Sequence, residues 1–142
     1  MSRAISPLWK CAAVIKWGGK KGGVGIQGVF FRVMGGIGAT ADNLASAIEG
    51  EGFEFQEMYP KFLAEAEAEG NKQAEVSIKN ALAVEEIHYG LYSEALSAIE
   101  SGSDLPEAKI YVCPVCGNTV SGAAPEKCPI CNVPGDKFIE IA

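Results

Sequence analysis

From Thr40 onward the chain alternates apolar and polar positions with a helical period. Leu44, Ile48, Phe55, Met58, Phe62 and Ala66 follow one another at steps of three and four once Glu51 is counted with them. That spacing is the seam of an amphipathic bundle helix. Thr40 with Asp42 predicts its start, an N-cap followed by an acid in the first turn. Gly70-Asn71 predicts its end, Gly suiting a left-handed cap and Asn the next N-cap. A second seam runs through Ala74, Ile78, Ala81, Glu85, His88, Tyr92, Ala95 and Ile99, and Gly102 and Pro106 close it. Each helix holds about 30 residues, or roughly 45 Å. A turn of one or two residues between them forces an antiparallel hairpin.

The residues that break the pattern carry the chemistry. Glu51, Glu85 and His88 occupy seam positions where apolar side chains belong, and Glu54 shares the side of Glu51. A lone buried carboxylate costs several kcal/mol unless it is paired, protonated or bound to metal. The Glu51/Glu54 pair lies about 18 residues before the turn and the Glu85/His88 pair about 16 after it, so both stand roughly 25 Å from the turn. The hairpin therefore brings three carboxylates and one imidazole to one level, a ligand set suited to iron or manganese. The competing reading is a solvated acidic face. Glu57, Glu65, Glu67, Glu69, Glu75, Glu86 and Glu94 lie off the seams and read as solvated. Tyr59 and Tyr92 read as core edge, although a tyrosine hydroxyl can support a metal ligand.

The C-terminal segment has a sharper signature. Cys113-Pro114-Val115-Cys116, with Gly117 next, is followed by Cys128-Pro129-Ile130-Cys131, with 11 residues between Cys116 and Cys128. Two Cys-x-x-Cys knuckles supply four thiolates to one tetrahedral ion. Short strands would wrap that ion, and binding would contribute folding energy to a core too small to stand alone. Zinc would make the module structural; iron would make it a one-electron carrier.

Composition divides the chain. Residues 1–41 hold no acid, six bases, nine of the 17 glycines and both tryptophans, whereas residues 42–142 carry all 18 acids against six bases. The whole chain has 142 residues, a net charge of −6 and 48% hydrophobic residues. It fits one domain or two small ones with a packed core. The acidic balance argues against nucleic-acid and membrane-surface binding. No apolar run approaches the ~18 residues of a membrane span, and the run from Cys11 to Ile15 is too short for a signal-peptide core. Paired cysteines point to metal in a reducing compartment rather than to disulfides. Gly23-Val24-Gly25-Ile26-Gln27-Gly28 matches Gly-x-Gly-x-x-Gly but lacks the helix and βαβ return of a dinucleotide site. Lys21 to Gly25 hints at a phosphate loop, but Ile26-Gln27 replaces its Lys-Ser/Thr. Residues 12–17 could form a strand, and 29–34 a strand or short helix. Cys11 reads as a small apolar residue.

A carboxylate-rich helical hairpin followed by a rubredoxin-like four-cysteine module resembles the rubrerythrin family. The run from Glu49 to Pro60 looks like that family's third bundle helix, Glu85-Glu86-Ile87-His88 like its fourth, and Tyr111 to Cys131 like its rubredoxin tail. The resemblance covers roughly residues 38–142. It implies a mainly α fold with a small β metal module: residues 1–39 an atypical Gly- and Lys-rich segment, 40–103 half of a ferritin-like four-helix bundle, and 104–142 a rubredoxin-like iron domain. It further implies reduction of hydrogen peroxide at a non-haem di-iron site. Glu51, Glu54, Glu85 and His88 would be its ligands, with Glu85 able to bridge and Tyr59 in support. Cys113, Cys116, Cys128 and Cys131 would hold the electron-transfer iron, with zinc the alternative there. A partner reductase or rubredoxin would supply electrons, and the protein would be cytoplasmic, in an organism for which oxygen is a stress.

The departure from the family pattern matters as much. Two bundle helices, with another Glu and another Glu-x-x-His, have no counterpart, and residues 1–41 contain neither Glu nor His. Either two hairpins pair about a two-fold axis, as a homodimer or within a larger homo-oligomer, so that two copies complete the ligand set, or residues 1–37 come from a damaged or out-of-frame gene. Their composition favours damage as the origin of that segment without excluding assembly of the rest. Three functions follow: a peroxide reductase active as an oligomer, an electron-transfer module with an inactive half-site, or a zinc-stabilised structural protein. In family members the cysteine module of one chain approaches the di-iron site of another. The linker 101–109 is short and polar and sets no direction.

Overall fold

The computed structural model describes residues 38–141. The expected segments at 12–17 and 29–34, the glycine-rich stretch 23–28 and Cys11 lie outside the described residues. The element order is helix α1 (Thr40–Phe53), a π-turn (Glu54–Met58), helix α2 (Tyr59–Ala68), helix α3 (Lys72–Glu100), strands β1 (Ile110–Val112) and β2 (Thr119–Ser121), a 3-10 turn (Gly135–Lys137) and strand β3 (Ile139–Glu140). The chain is thus mainly helical with a small antiparallel sheet.

The start of α1 differs by one residue from the expectation. Ala39 is the N-cap and Thr40 the first helical residue. The Asp42 carboxylate accepts the Ala39 N–H at 3.0 Å, and the Asn43 side chain accepts from Gly38 N–H at 2.8 Å while donating to Gly38 O at 3.0 Å. These bonds satisfy donors that a helix start leaves open. The hairpin turn is as expected. Gly70 takes φ +68°, and Asn71 caps α3 by accepting the Ala74 N–H at 3.1 Å.

The first helix is not uniform. At the π-turn the Tyr59 N–H donates to Glu54 O, five residues back instead of four. Pro60 stands next in the chain; it has no N–H and its ring needs room at the carbonyl four residues earlier. The extra residue rotates everything after it. Phe62, expected on the seam, is 45% exposed, while Leu63 turns half inward and Ala66 is buried.

The hairpin core lies at the open end, where Leu44, Tyr92 and Ala95 are buried with Ala47, Ile48, Leu91, Leu96 and Ile99 around them. Leu105 of the linker packs into the same cluster. In the middle, Phe55 meets Tyr89 edge-on at 5.4 Å, and Gly52 lets the Tyr89 ring come close: a Cβ there would sit 3.3 Å from it. Near the turn, Glu75 departs from its expected solvation and is 6% exposed. Lys72 and Lys79 fold over it, at 2.7 and 3.7 Å, and Lys79 also reaches Glu67 of α2 at 3.2 Å. The other off-seam glutamates are exposed.

The sheet has the order β2-β1-β3, antiparallel throughout, with Tyr111 opposite Val120 and Glu140. Ile110 and Val112 form its small core with Ile141. The sheet holds the two cysteine knuckles and sets one edge of them against α3.

Candidate metal centres

The knuckles are built alike. In the first, the Gly117 N–H donates to Cys113 O at 2.9 Å and the Cys113 N–H to Asn118 O at 2.9 Å. In the second, the Asn132 N–H donates to Cys128 O at 3.0 Å and the Cys128 N–H to Val133 O at 2.8 Å. Gly117 and Asn132 both take positive φ, +85° and +65°, the conformation that tightens each loop enough to turn its backbone N–H groups towards sulfur. The four Sγ atoms lie within 4.8 Å of one another. Across the knuckles, Cys113 to Cys131 and Cys116 to Cys128 are each 3.6 Å. Metal–sulfur bonds of about 2.3 Å in a tetrahedron put sulfurs roughly 3.8 Å apart, so the cluster fits one thiophilic ion. Burial raises the Cys128 thiol, but the backbone N–H groups of Cys131 and Ile130 outweigh it and hold that thiol down at about 7. Burial drives Cys116 well above its ordinary value.

On the hairpin, Glu51 from α1 and Glu85 and His88 from α3 form a second group, with one ligand atom from each within 4.8 Å of the others. Glu54 begins the π-turn next to them and adds its charge to Glu51 and Tyr59 without joining the three-atom group. Burial, then the hydrogen bond and charge of Glu85, push Glu51 up to about 8. The two carboxyl groups are hydrogen-bonded to each other, an arrangement that favours a proton between them. Burial, then the charges of Glu85, Glu54 and Glu51, raise the Tyr59 hydroxyl, which lies near these carboxylates. Oxygen and imidazole donors of this kind suit iron or manganese.

His88 joins the two groups. Its Nδ1 is 2.8 Å from Glu85 Oε2, and its Nε2 is 3.2 Å from both Gly117 O and Thr119 Oγ1. A carbonyl only accepts, so Nε2 carries a proton and donates to Gly117; Thr119 Oγ1 also donates to that carbonyl, at 3.1 Å. This fixes the ring with Nδ1 towards the carboxylates. Burial pulls the His88 pKa down, but the hydrogen bond and charge of Glu85 outweigh it and raise it overall. Beside the ring, Val84 is 2% exposed and faces Gly117, where a Cβ would lie 3.7 Å from Val84 Cγ1. The cysteine module thus docks on the α3 of its own chain. Thr119 and Val84 escaped the sequence analysis: Val84 lies off the seam, and no local spacing marks Thr119 as a histidine partner.

The model described as rubrerythrin matches residues 26–96, and the one described as rubrerythrin, rubredoxin-like domain, matches residues 111–139. Among curated proteins the chain is 42% identical over 97 residues to Rubrerythrin-2 of Clostridium acetobutylicum, covering 68% of this chain and 53% of that protein. It is 38% identical over 96 residues to Nigerythrin of Nitratidesulfovibrio vulgaris, covering 68% and 46%. It is 39% identical over 108 residues to a putative rubrerythrin of Methanocaldococcus jannaschii, covering 74% and 52%. The chain therefore spans about half the length of the curated relatives it matches. Its fold is similar to that of nigerythrin in a partially reduced state, with a TM-score of 0.66 and 30% identity over 96% of this chain and 62% of that one. A fully reduced, all-ferrous nigerythrin is similar with a TM-score of 0.63 and 29% identity, over the same shares of the two chains. With the hairpin and the four-cysteine module matched in the same order, this chain belongs to the rubrerythrin family.

Proposed function

We propose that this protein is a peroxide reductase in which iron at the four cysteines passes electrons to iron at Glu51, Glu54, Glu85 and His88, and that a second copy of the chain completes the carboxylate site. The observation that carries the reading is the His88 imidazole, bonded at one nitrogen to Glu85 and at the other to the carbonyl that follows Cys116. One short covalent and hydrogen-bonded route thereby links the thiolates to the carboxylates. The all-ferrous nigerythrin structure supports iron as the metal.

Iron at the carboxylates would supply the two electrons that, with two protons, cleave the O–O bond of hydrogen peroxide to give two waters. The chain's own residues have separate tasks. Glu51, Glu85 and His88 offer hard ligand atoms, and Glu54 stands beside them. Gly117 O and Thr119 hold the His88 Nε2 proton in place and so keep Nδ1 aimed at the site. Tyr59 keeps a hydroxyl proton at the same level.

The need for a second copy comes from ligand number. A ferritin-like di-iron site takes a Glu from two helices and Glu-x-x-His from two more, and the described residues of one chain supply half of that. The exposure of Phe53, Phe62 and Val76 on the hairpin is apolar surface that a paired hairpin would cover. Electrons would enter from a reductase or rubredoxin partner. None of the described helices is long and apolar enough to cross a membrane.

Anaerobic reconstitution with ferrous iron, read by metal analysis and light scattering, tests the assembly. The expected result is about two irons per chain in a dimer: one at each cysteine site and a shared pair at the carboxylates. About one iron per chain would instead leave an electron-transfer module, and zinc alone a structural one. The Glu85→Ala, His88→Ala double variant should lose more peroxide reduction than the about 10- to 100-fold that an outer-shell change costs. If it turns over peroxide as fast as the parent, the carboxylate site is not where the reaction occurs.

A further inference from the structure

The two knuckles share their backbone geometry but differ at one buried side chain. Asn118 in the first occupies the place of Val133 in the second: each accepts the N–H of its knuckle's first cysteine, and each presents its own N–H to the second cysteine's sulfur. The backbone alone therefore suffices to build a knuckle, as Val133 demonstrates. Asn118 nevertheless buries an amide, at 1% exposure. Its Nδ2 lies 3.8 Å from Cys128 Sγ in the opposite knuckle, whereas its Oδ1 is buried without a hydrogen-bond partner among the described residues. Asn118 thus touches three of the four cysteines: Cys113 through its carbonyl, Cys116 through its N–H and Cys128 through its side chain. A buried polar group half satisfied is destabilising compared with an apolar one, so its stability value does not account for it.

We propose that Asn118 is a positioning residue that sets the reduction potential of the four-cysteine centre, through the N–H···S hydrogen bond from its side-chain amide to Cys128. The inference rests on the reading of that centre as a one-electron iron site. Four thiolates around ferric iron carry a net charge of −1, and around ferrous iron −2. The added electron increases the negative charge on sulfur, so a donor aimed at Cys128 stabilises the reduced form more than the oxidised one. Loss of the donor lowers the potential, which makes the centre a stronger reductant towards the His88 side and harder to refill from its donor.

Two measurements test this on the full chain. In protein loaded with cadmium-113 at the cysteines, the Asn118 side-chain amide proton should show scalar coupling to the metal across the N–H···S bond. In the iron-loaded Asn118→Val variant, which copies the second knuckle, a mediated redox titration should give a lower midpoint with the thiolate-to-iron absorption bands retained. The expected shift is about three- to tenfold in the ferrous-to-ferric ratio at a fixed potential, where tenfold is about 59 mV for one electron. Bound cadmium without that coupling, or an unchanged midpoint, overturns the role of Asn118 while leaving the four-thiolate site intact. Should the variant not hold iron, the coupling in the unmutated protein decides. A chain that takes up neither cadmium nor iron at these cysteines overturns the underlying reading, and the inference with it.

Discussion

At the scale of single residues, the protein handles its buried charges in two ways. Glu75 is neutralised by cations: the hydrogen bond and charge of Lys72, with Lys79 beside it, hold its carboxyl below the usual value of 4.5. A carboxyl lowered on folding contributes stability that is present above its unfolded pKa and disappears as pH falls through the folded one. Glu75→Gln should therefore lower the urea midpoint at pH 7, and its difference from the parent should shrink as pH falls below 4.5 and disappear once pH is below the lowered carboxyl. Equal midpoints at pH 7 would mean that the lysines contribute nothing there. Glu51 pairs with no lysine among the described residues, and the charge of His88 lowers it less than burial and Glu85 raise it. Its carboxyl is raised instead, which fits its proposed role as a ligand that gives up a proton on binding metal.

At the scale of elements, the π-turn is the feature that shapes the hairpin. It starts at Glu54, beside the carboxylate group, and ends before Tyr59, so one widened turn positions both. Widened turns of this kind recur at functional sites. By shifting the register it also exchanges Phe62 for Leu63 on the inner side of α2. The consequence can be measured with two alanine variants, at concentrations where light scattering gives a single chain. Leu63→Ala should cost about 1–2 kcal/mol, near half of the value for a fully buried leucine. Phe62→Ala should cost under about 1 kcal/mol, because the side chain is 45% exposed and meets Tyr59 edge-on at 6.4 Å. The reverse order would mean a regular helix in solution.

At the scale of the molecule, the docking of the cysteine module onto α3 links the two candidate centres. Its geometry is within reach of the linker. His88 lies 12 residues before the end of α3, roughly 18 Å back along the helix, and the nine residues 101–109 can extend about 30 Å. Gly102, at φ +73°, reverses the chain, and Leu105 anchors it against the hairpin core. Val84 is a buried apolar side chain of α3 that faces the module at Gly117. A Val84→Lys substitution should release it: limited proteolysis within 101–109 accelerates several-fold, while the thiolate-to-iron absorption of the cysteine site stays the same, because full burial of a valine contributes only about 1.5–3 kcal/mol. Unchanged proteolysis would place the docking energy elsewhere.

What was legible along the chain is whatever has a local period or a fixed short spacing. The two seams, the Gly70-Asn71 turn with its Asn71 cap, the closure at Gly102 and the paired cysteines all follow from steps of two to four residues, and the structure has the hairpin and sheet that those steps predict. The glutamates and histidine that interrupt the seams stand out for the same reason, since a polar residue on an apolar face is a local contradiction. Other features come from segments far apart in the chain. Val84 is buried, and His88 oriented, by residues some 30 positions later. Glu75 is covered by lysine side chains whose direction no periodicity reports. The shift at Phe62 depends on where a helix accommodates Pro60, and the Asn118–Cys128 bond on how two knuckles close on each other. A helical pattern records one face of one element. Which remote surface covers that face, and which way an imidazole or amide then points, are settled by packing, because burial and hydrogen-bond direction depend on the whole neighbourhood in space.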